Sequence, residues 1–246
     1  MQHSLSNVRR ISLAAAAVVL SAATAFAAEA PNITAALFDK SHLDRVAAGT
    51  KLTYNFERNA SEPKLIGPNF KNVIELTVDK VNDNATRDVT VQIFRGELER
   101  EPRQIEGMTG NPVLVFFLDR AVSGFSLLAG GNGAYHKNRF RVAMRTEGGL
   151  APVKFDYNGK EVEGYRLAIR PFTGDRKNID KMKGYENAQF DFLMSDEVPG
   201  YFAAFQSHYD SPKPGSPSLD ESIVLDGVQV PQTAPQTAPK TAGEVK

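Results

Sequence analysis

Apolar and polar residues alternate along much of this chain, in short runs typical of strands with one buried face. Leu52, Tyr54 and Phe56 form the first run, and a period of two places every second side chain on the same face of a sheet. The same alternation recurs over 74–78, 89–93, 153–157, 165–169, 190–194, 201–209 and 223–225. The pattern therefore predicts seven or eight strands.

Two turn signals predict that these strands pair as hairpins. Asn82-Asp83-Asn84 separates the second run from the third, and these residue types tolerate the left-handed backbone of a turn. Asn158-Gly159 follows 153–157, and Asn-Gly between alternating runs is the strongest short-range hairpin signal. Strands joined by hairpins are antiparallel. We expect an α+β fold with an antiparallel sheet of about seven or eight strands and two or three helices inserted between hairpins.

The segment 112–128 predicts a helix with two apolar faces. Asn111 suits the N-cap, Pro112 suits the first helical position, and Gly130 can end the helix. At 100° per residue, one face gathers the apolar side chains of Leu114, Phe117, Leu118, Ala121, Phe125 and Leu128. We expect this face to pack on the sheet. Phe116 and Leu127 stand on the opposite face. Either loops or the next helix cover these two side chains, or the helix acts as a lid over a hydrophobic site.

Two further segments are predicted to be helical. Residues 41–48 begin with Ser41 and Asp44, which resemble a capping box, and Gly49 is placed to end the helix. The second segment, 134–145, fits both a helical and a strand period. Its dense charges and the glycines before it favour a second short helix.

The composition excludes several classes of function. The chain has no cysteine, which removes disulfides, thiolate catalysis and zinc–thiolate sites. Basic and acidic residues number 29 each, and losing Arg9 and Arg10 with an N-terminal leader would leave a net charge of about −2. A chain of this charge lacks the basic field that nucleic-acid binding requires. We expect no nucleic-acid partner, no cofactor and no integral membrane domain.

The N-terminus has the three parts of a cleavable signal peptide. The first ten residues contain no acid and end in Arg9-Arg10, residues 11–23 are mainly apolar, and Ala25-Phe26-Ala27 has small residues where signal peptidase reads. The arginine pair raises the twin-arginine export route, but Ser12 stands where that pattern prefers a large apolar residue, which favours the general route. We expect a signal peptide over 1–27, cleavage after Ala27, and a periplasmic protein of a bacterial envelope.

The C-terminal segment 230–246 predicts a disordered tail. It repeats Gln-Thr-Ala-Pro and has no large apolar residue other than valine, so it cannot repay the entropy lost on ordering. Removing both terminal segments leaves 28–229, which we interpret as a single β-rich domain.

The polar residues offer one candidate site. His42, His136 and His208 remain after cleavage, and none has a partner at a metal-ligand spacing, so we expect no metal site. Consecutive glycines at Gly130-Gly131 can turn backbone amides toward an anion, and cations beside them would assist. The side chains of this candidate anion site are His136, Asn138, Arg139 and Arg141. The alternative is a helix stop followed by a solvated basic helix.

Several stretches resemble a group of exported proteobacterial proteins that have no established activity. The matching residues are Leu37-Phe38-Asp39 with His42-Leu43, Leu52-x-Tyr54-x-Phe56-x-Arg58, Asn111-Pro112, Gly130-Gly131 with Tyr135 and Asn138-Arg139-x-Arg141, and Ser195-Asp196-x-Val198-Pro199-Gly200. This resemblance covers nearly all of the mature domain and implies a compartment without a mechanism. Over roughly Lys51 to Leu225 the predicted architecture also resembles the LolA/LolB-type lipoprotein-carrier superfamily. That second resemblance implies a sheet curved into a half-barrel.

These observations favour a non-enzymatic periplasmic protein that binds a hydrophobic ligand, an acyl chain or a lipoprotein, beneath the 112–128 helix. The side chains expected to line the site are Phe116, Phe125, Leu127 and Tyr135. Two alternatives stay open. One is an envelope interaction protein with a filled core and no pocket. The other is a hydrolase in which the fold brings His136 or His208 to Asp or Ser partners.

Overall fold

The strands form one open antiparallel sheet. The computed structural model describes residues 32–146 and 149–231, and within them ten strands pair in the order β10-β5-β6-β7-β8-β9-β1-β2-β3-β4. Their bounds are β1 (Lys51–Ala60), β2 (Phe70–Val81), β3 (Arg87–Ile93), β4 (Arg103–Met108), β5 (Ala151–Tyr157), β6 (Lys160–Ile169), β7 (Gln189–Met194), β8 (Phe202–Tyr209), β9 (Leu219–Leu225) and β10 (Val228–Gln229). β1 joins the two halves of the sheet, because it pairs with both β2 and β9.

The predicted α+β class is confirmed, but the predicted count of seven or eight strands is too low. β4 and β10 were missed. In β4 only Ile105 and Met108 are partly buried, and β10 is two residues long. Edge strands have a neighbour on one side only, and these two bury too little to show an alternating pattern. The half-barrel curvature implied by the resemblance stays a prediction.

Both predicted hairpin turns are confirmed. Asn158 and Gly159 have φ of 54° and 77°, and positive φ at both central residues is the requirement of a type I′ turn. The Asp156 carboxylate accepts a hydrogen bond from the Gly159 N–H at 2.9 Å. At the β2–β3 turn, the Asn82 amide donates to Asp88 Oδ1 at 2.8 Å. Short polar side chains therefore close both turns locally.

Two long helices pack on one face of the sheet, and both lie between β4 and β5. They are α2 (Val113–Ala129) and α3 (Gly133–Thr146), while α1 (Pro63–Ile66) is a single turn. The predicted helices at 112–128 and 134–145 are therefore confirmed. The Asn111 side chain accepts from the Val113 N–H at 3.1 Å and donates to Tyr54 Oη at 2.8 Å. This residue caps α2 and ties the start of the helix to β1.

The middle of α2 is held close to the sheet by one tyrosine and one ion pair. Tyr209 Oη donates to the Ala121 carbonyl at 2.8 Å. A β-carbon on Gly124 would lie 2.7 Å from that hydroxyl oxygen, so only glycine permits this approach. Four residues before Gly124, the Arg120 guanidinium pairs with the buried carboxylate of Glu221 on β9. These contacts fix the position of α2.

The predicted helix at 41–48 is wrong, because this segment consists of turns. The Arg87 guanidinium donates to the carbonyls of Asp44 and Val46, and a helix over 41–48 would need the Asp44 carbonyl as the acceptor for the Ala48 N–H. The N–H of Gly49 donates to a carbonyl of β2 at 2.7 Å. The sheet therefore takes the backbone groups that would have closed the helix.

The predicted leader and most of the predicted tail lie outside the described residues. The leader covers 1–27, and the described chain ends at residue 231, inside the tail predicted for 230–246. Val230, one residue past the expected domain end, packs against the core. Across 32–146 and 149–231, no helix combines the length and apolar character needed to cross a membrane.

Candidate ligand-binding groove

A groove of about 440 Å³ opens between the outer sides of α2 and α3. Its floor is apolar and is formed by Val115, Leu118 and Val122 of α2 with Phe140 and Met144 of α3. Val115 is 58% exposed, which is unusual for one of several adjoining apolar residues. The volume falls in the range of small-molecule sites, about 300–1,000 Å³. We call this feature the α2–α3 groove.

The third wall of the α2–α3 groove is a π-helical turn, Ala35–Asp39. This turn presents Phe38, which is 48% exposed. His42 holds the turn against the start of α2, since its Nε2 donates to the Ala36 carbonyl at 2.8 Å and its Nδ1 accepts the Asn111 N–H at 3.1 Å. Burial lowers the pKa of His42. The neutral imidazole supplies the one donor and one acceptor that this bridge requires.

The rim of the α2–α3 groove is basic. Lys137, Arg141 and Arg145 line it at intervals of four residues, which places them on one side of α3. Asp119 of α2 is the acid among the lining residues, and its carboxylate pairs with Lys137 Nζ at 3.0 Å. The rim therefore carries an excess of positive charge next to an apolar floor, an arrangement that attracts an anionic group.

The residues predicted to line a lid site are not gathered in one place. Phe116 is partly buried and packs edge-on against Phe94 at 5.9 Å between ring centroids. It lines a second groove, described below, rather than the α2–α3 groove. Leu127 is 51% exposed and lines neither groove. Phe125 is buried and stacks on Phe172.

The predicted faces of α2 need one correction. Leu118 was assigned to the core but lines the α2–α3 groove with Val115 and Val122. These three residues are spaced i, i+3 and i+7, so they form a second apolar stripe beside the core stripe. Their spacing was available in the sequence, and it was the signal that the prediction missed.

The predicted anion site does not converge either. His136 is buried, and its Nδ1 lies 2.9 Å from Ser126 Oγ. Asn138 is exposed, Arg139 donates to the Pro171 carbonyl at 2.8 Å, and only Arg141 reaches the α2–α3 groove. Successive positions on α3 point in different directions, so the run of polar residues does not form one site.

Phe125, Tyr135 and His136 share a smaller pocket of about 210 Å³ beside the glycines that follow α2. Burial lowers the pKa of His136.

On the far side of the sheet, His208 Nδ1 lies 2.6 Å from Asp220 Oδ1, and this hydrogen bond raises the pKa of His208. In the described part of the chain, neither the Ser126–His136 pair nor the His208–Asp220 pair is extended by a third side-chain hydrogen bond. No metal-binding group of three His, Asp or Glu side chains occurs there.

Comparison with known proteins identifies no family for this chain. No protein-family model and no curated protein matched the chain. One similar solved structure is that of a LolA superfamily protein from Nitrosomonas europaea, which is 8% identical over 83% of this chain and 96% of that chain, with a TM-score of 0.20. A TM-score this low does not establish a common fold.

Proposed function

We propose that the protein binds an amphipathic ligand, an acyl chain with an anionic head group, in the α2–α3 groove. One observation supports this proposal above the others. Apolar side chains line the floor of the groove, where Val115 is exposed and Leu118 partly exposed, and three basic side chains stand along one rim. The proposed activity is binding without catalysis.

The two parts of the groove match the two parts of such a ligand. Covering exposed apolar area contributes roughly 25 cal/mol per Å², so an acyl chain lying over Val115 and Leu118 is stabilised without needing hydrogen bonds. Arg141 and Arg145 stand at the edge of this floor, where a carboxylate or phosphate can accept hydrogen bonds from their N–H groups. Asp119 already pairs with Lys137, so we assign the head group to the two arginines.

The ligand pair dodecanoate and dodecanol tests the proposal, because the two share a chain and differ in the carboxylate. We expect Leu118→Ser to weaken the binding of both ligands by about 1–3 kcal/mol, since it removes apolar contact from the floor. Arg141→Glu is expected to raise the Kd of dodecanoate about tenfold or more and to leave the Kd of dodecanol unchanged. Displacement of a fluorescent fatty acid measures both affinities.

Lys213→Glu is the matched control, because it makes the same charge change on the exposed loop between β8 and β9. We expect this variant to bind both ligands as the unmodified protein does. The proposal is contradicted if dodecanoate shows no saturable binding, or if Lys213→Glu weakens dodecanoate as much as Arg141→Glu does.

We also propose that the protein is exported and works in the periplasm. The basic start, apolar run and Ala25-Phe26-Ala27 site support this. Mass spectrometry of protein released from the producing bacterium by osmotic shock is expected to find Ala28 at the N-terminus. An intact N-terminus, or retention with membranes after a carbonate wash, would contradict export.

A role as a carrier of lipids or lipoproteins belongs to the same proposal. An open antiparallel sheet with helices on one face is the architecture that suggested lipoprotein carriers from the sequence. The α2–α3 groove adds a place where an acyl chain can be shielded from water. A shielded chain is what a protein needs to move an acylated cargo through an aqueous compartment.

A further inference from the structure

The geometry points to an anionic lipid with two acyl chains as the ligand, one chain on each side of α2. This inference rests on the proposed function, because it takes the α2–α3 groove as the seat of the first chain. Its independent support is a second apolar groove that the first proposal does not use.

The second groove has about 370 Å³ and lies between α2 and the edge of the sheet formed by β3 and β4. Its apolar walls are Ile93 of β3, Ile105 and Met108 of β4, and Phe116 of α2. Its volume also lies within the range of small-molecule sites. We call this feature the α2–β4 groove.

The two grooves meet on α2. Val115 and Asp119, one turn apart, line both of them. Only this ridge of α2 separates the two floors, and Val115 is the exposed apolar side chain on it. Two acyl chains attached to one head group can therefore lie on opposite sides of the ridge. A ligand with one acyl chain would leave one apolar groove in contact with water.

Charge on both rims favours an acidic head group. Arg141 and Arg145 stand beside the α2–α3 groove, and the exposed Arg100 and Arg103 line the α2–β4 groove. A head group bridging the ridge is thus approached by arginines from both sides. Arg120 also lines the second groove, but its guanidinium is already paired with Glu221.

The test compares dioctanoyl-phosphatidylglycerol with octanoyl-lysophosphatidylglycerol, which differ by one chain. We expect the two-chain lipid to bind at least about tenfold more tightly, because burying a few methylene groups suffices for that difference. Ser123→Trp places a large side chain in the α2–β4 groove from an exposed position on α2. It is expected to remove the tenfold advantage, so that both lipids bind with similar affinity.

Ile105→Ser provides a second route to the same readout, since it removes apolar surface without adding bulk. It is expected to reduce the advantage of the two-chain lipid, and thermal melting verifies that each variant is folded. Equal binding of the two lipids by the unmodified protein, or an advantage that survives in both variants, overturns the two-chain inference and leaves the α2–α3 proposal standing. Failure of dodecanoate and of both lipids to bind overturns the proposed function as well.

Discussion

Replacing Glu221 by glutamine is expected to lower the free energy of unfolding by about 3–5 kcal/mol. The Glu221 side chain is 3% exposed, and its carboxylate lies between two guanidinium groups, that of Arg58 at 3.2 Å and that of Arg120. The Arg58 side chain is also buried, so it cannot turn to solvent when its counter-charge is removed. An amide would leave the buried Arg58 cation and the partly exposed Arg120 cation beside each other without an anion.

Urea denaturation of Glu221→Gln and Glu57→Gln measures this effect against a matched exposed pair. Glu57 pairs with Lys71 at 3.1 Å, but both side chains are accessible to solvent. Exposed pairs contribute about 0–1 kcal/mol, so Glu57→Gln is expected to unfold almost as the unmodified protein does. A loss for Glu221→Gln as small as that for Glu57→Gln would contradict the prediction, because the Glu221 ion pairs would then contribute no more than an exposed pair.

Phe117→Ala is expected to cost about 3–5 kcal/mol of stability, the usual loss for a buried phenylalanine. Phe117 is 2% exposed, and its ring packs against Phe192 at 5.3 Å and Phe205 at 5.0 Å between centroids. The neighbouring Leu118→Ala is expected to cost only about 1 kcal/mol, because Leu118 is partly exposed on the floor of the α2–α3 groove.

Thermal melting of the two variants, followed by dodecanoate titration of Leu118→Ala, provides the measurement. We expect opposite profiles, with stability lost in Phe117→Ala and affinity lost in Leu118→Ala. If Leu118→Ala loses as much stability as Phe117→Ala, Leu118 belongs to the core and the floor of the groove is not available to a ligand.

Local signals explain what the sequence predicted correctly. The Asn158-Gly159 turn depends on two residues that accept positive φ, and the start of α2 depends on Asn111 and the proline after it. Both are decided within a few positions along the chain. The same reasoning failed at 41–48, because Arg87 takes carbonyls of that segment from a distant strand.

The candidate site was harder to predict because its composition depends on which helix faces are covered. Periodicity shows that α2 has apolar residues on more than one side, but it does not show which side meets another element. Phe116 is partly covered by Phe56 and Phe94 and lines the α2–β4 groove, whereas Leu118 is partly exposed beside α3. These neighbours are brought to α2 by strand pairing, which the pattern of one helix cannot reveal.

The pairing of β1 with β9 has a consequence for how quickly the chain can fold. Tyr54 of β1 lies opposite Leu225 of β9. β1 joins the two halves of the sheet, and it cannot complete its pairing until β9 has left the ribosome. Contacts between such distant positions require a large loop to close, and proteins rich in them fold slowly. The general export route carries chains that have not yet folded, and under that route this delay would work in the protein's favour. A sheet that cannot close before β9 is made would leave the nascent chain open for transport.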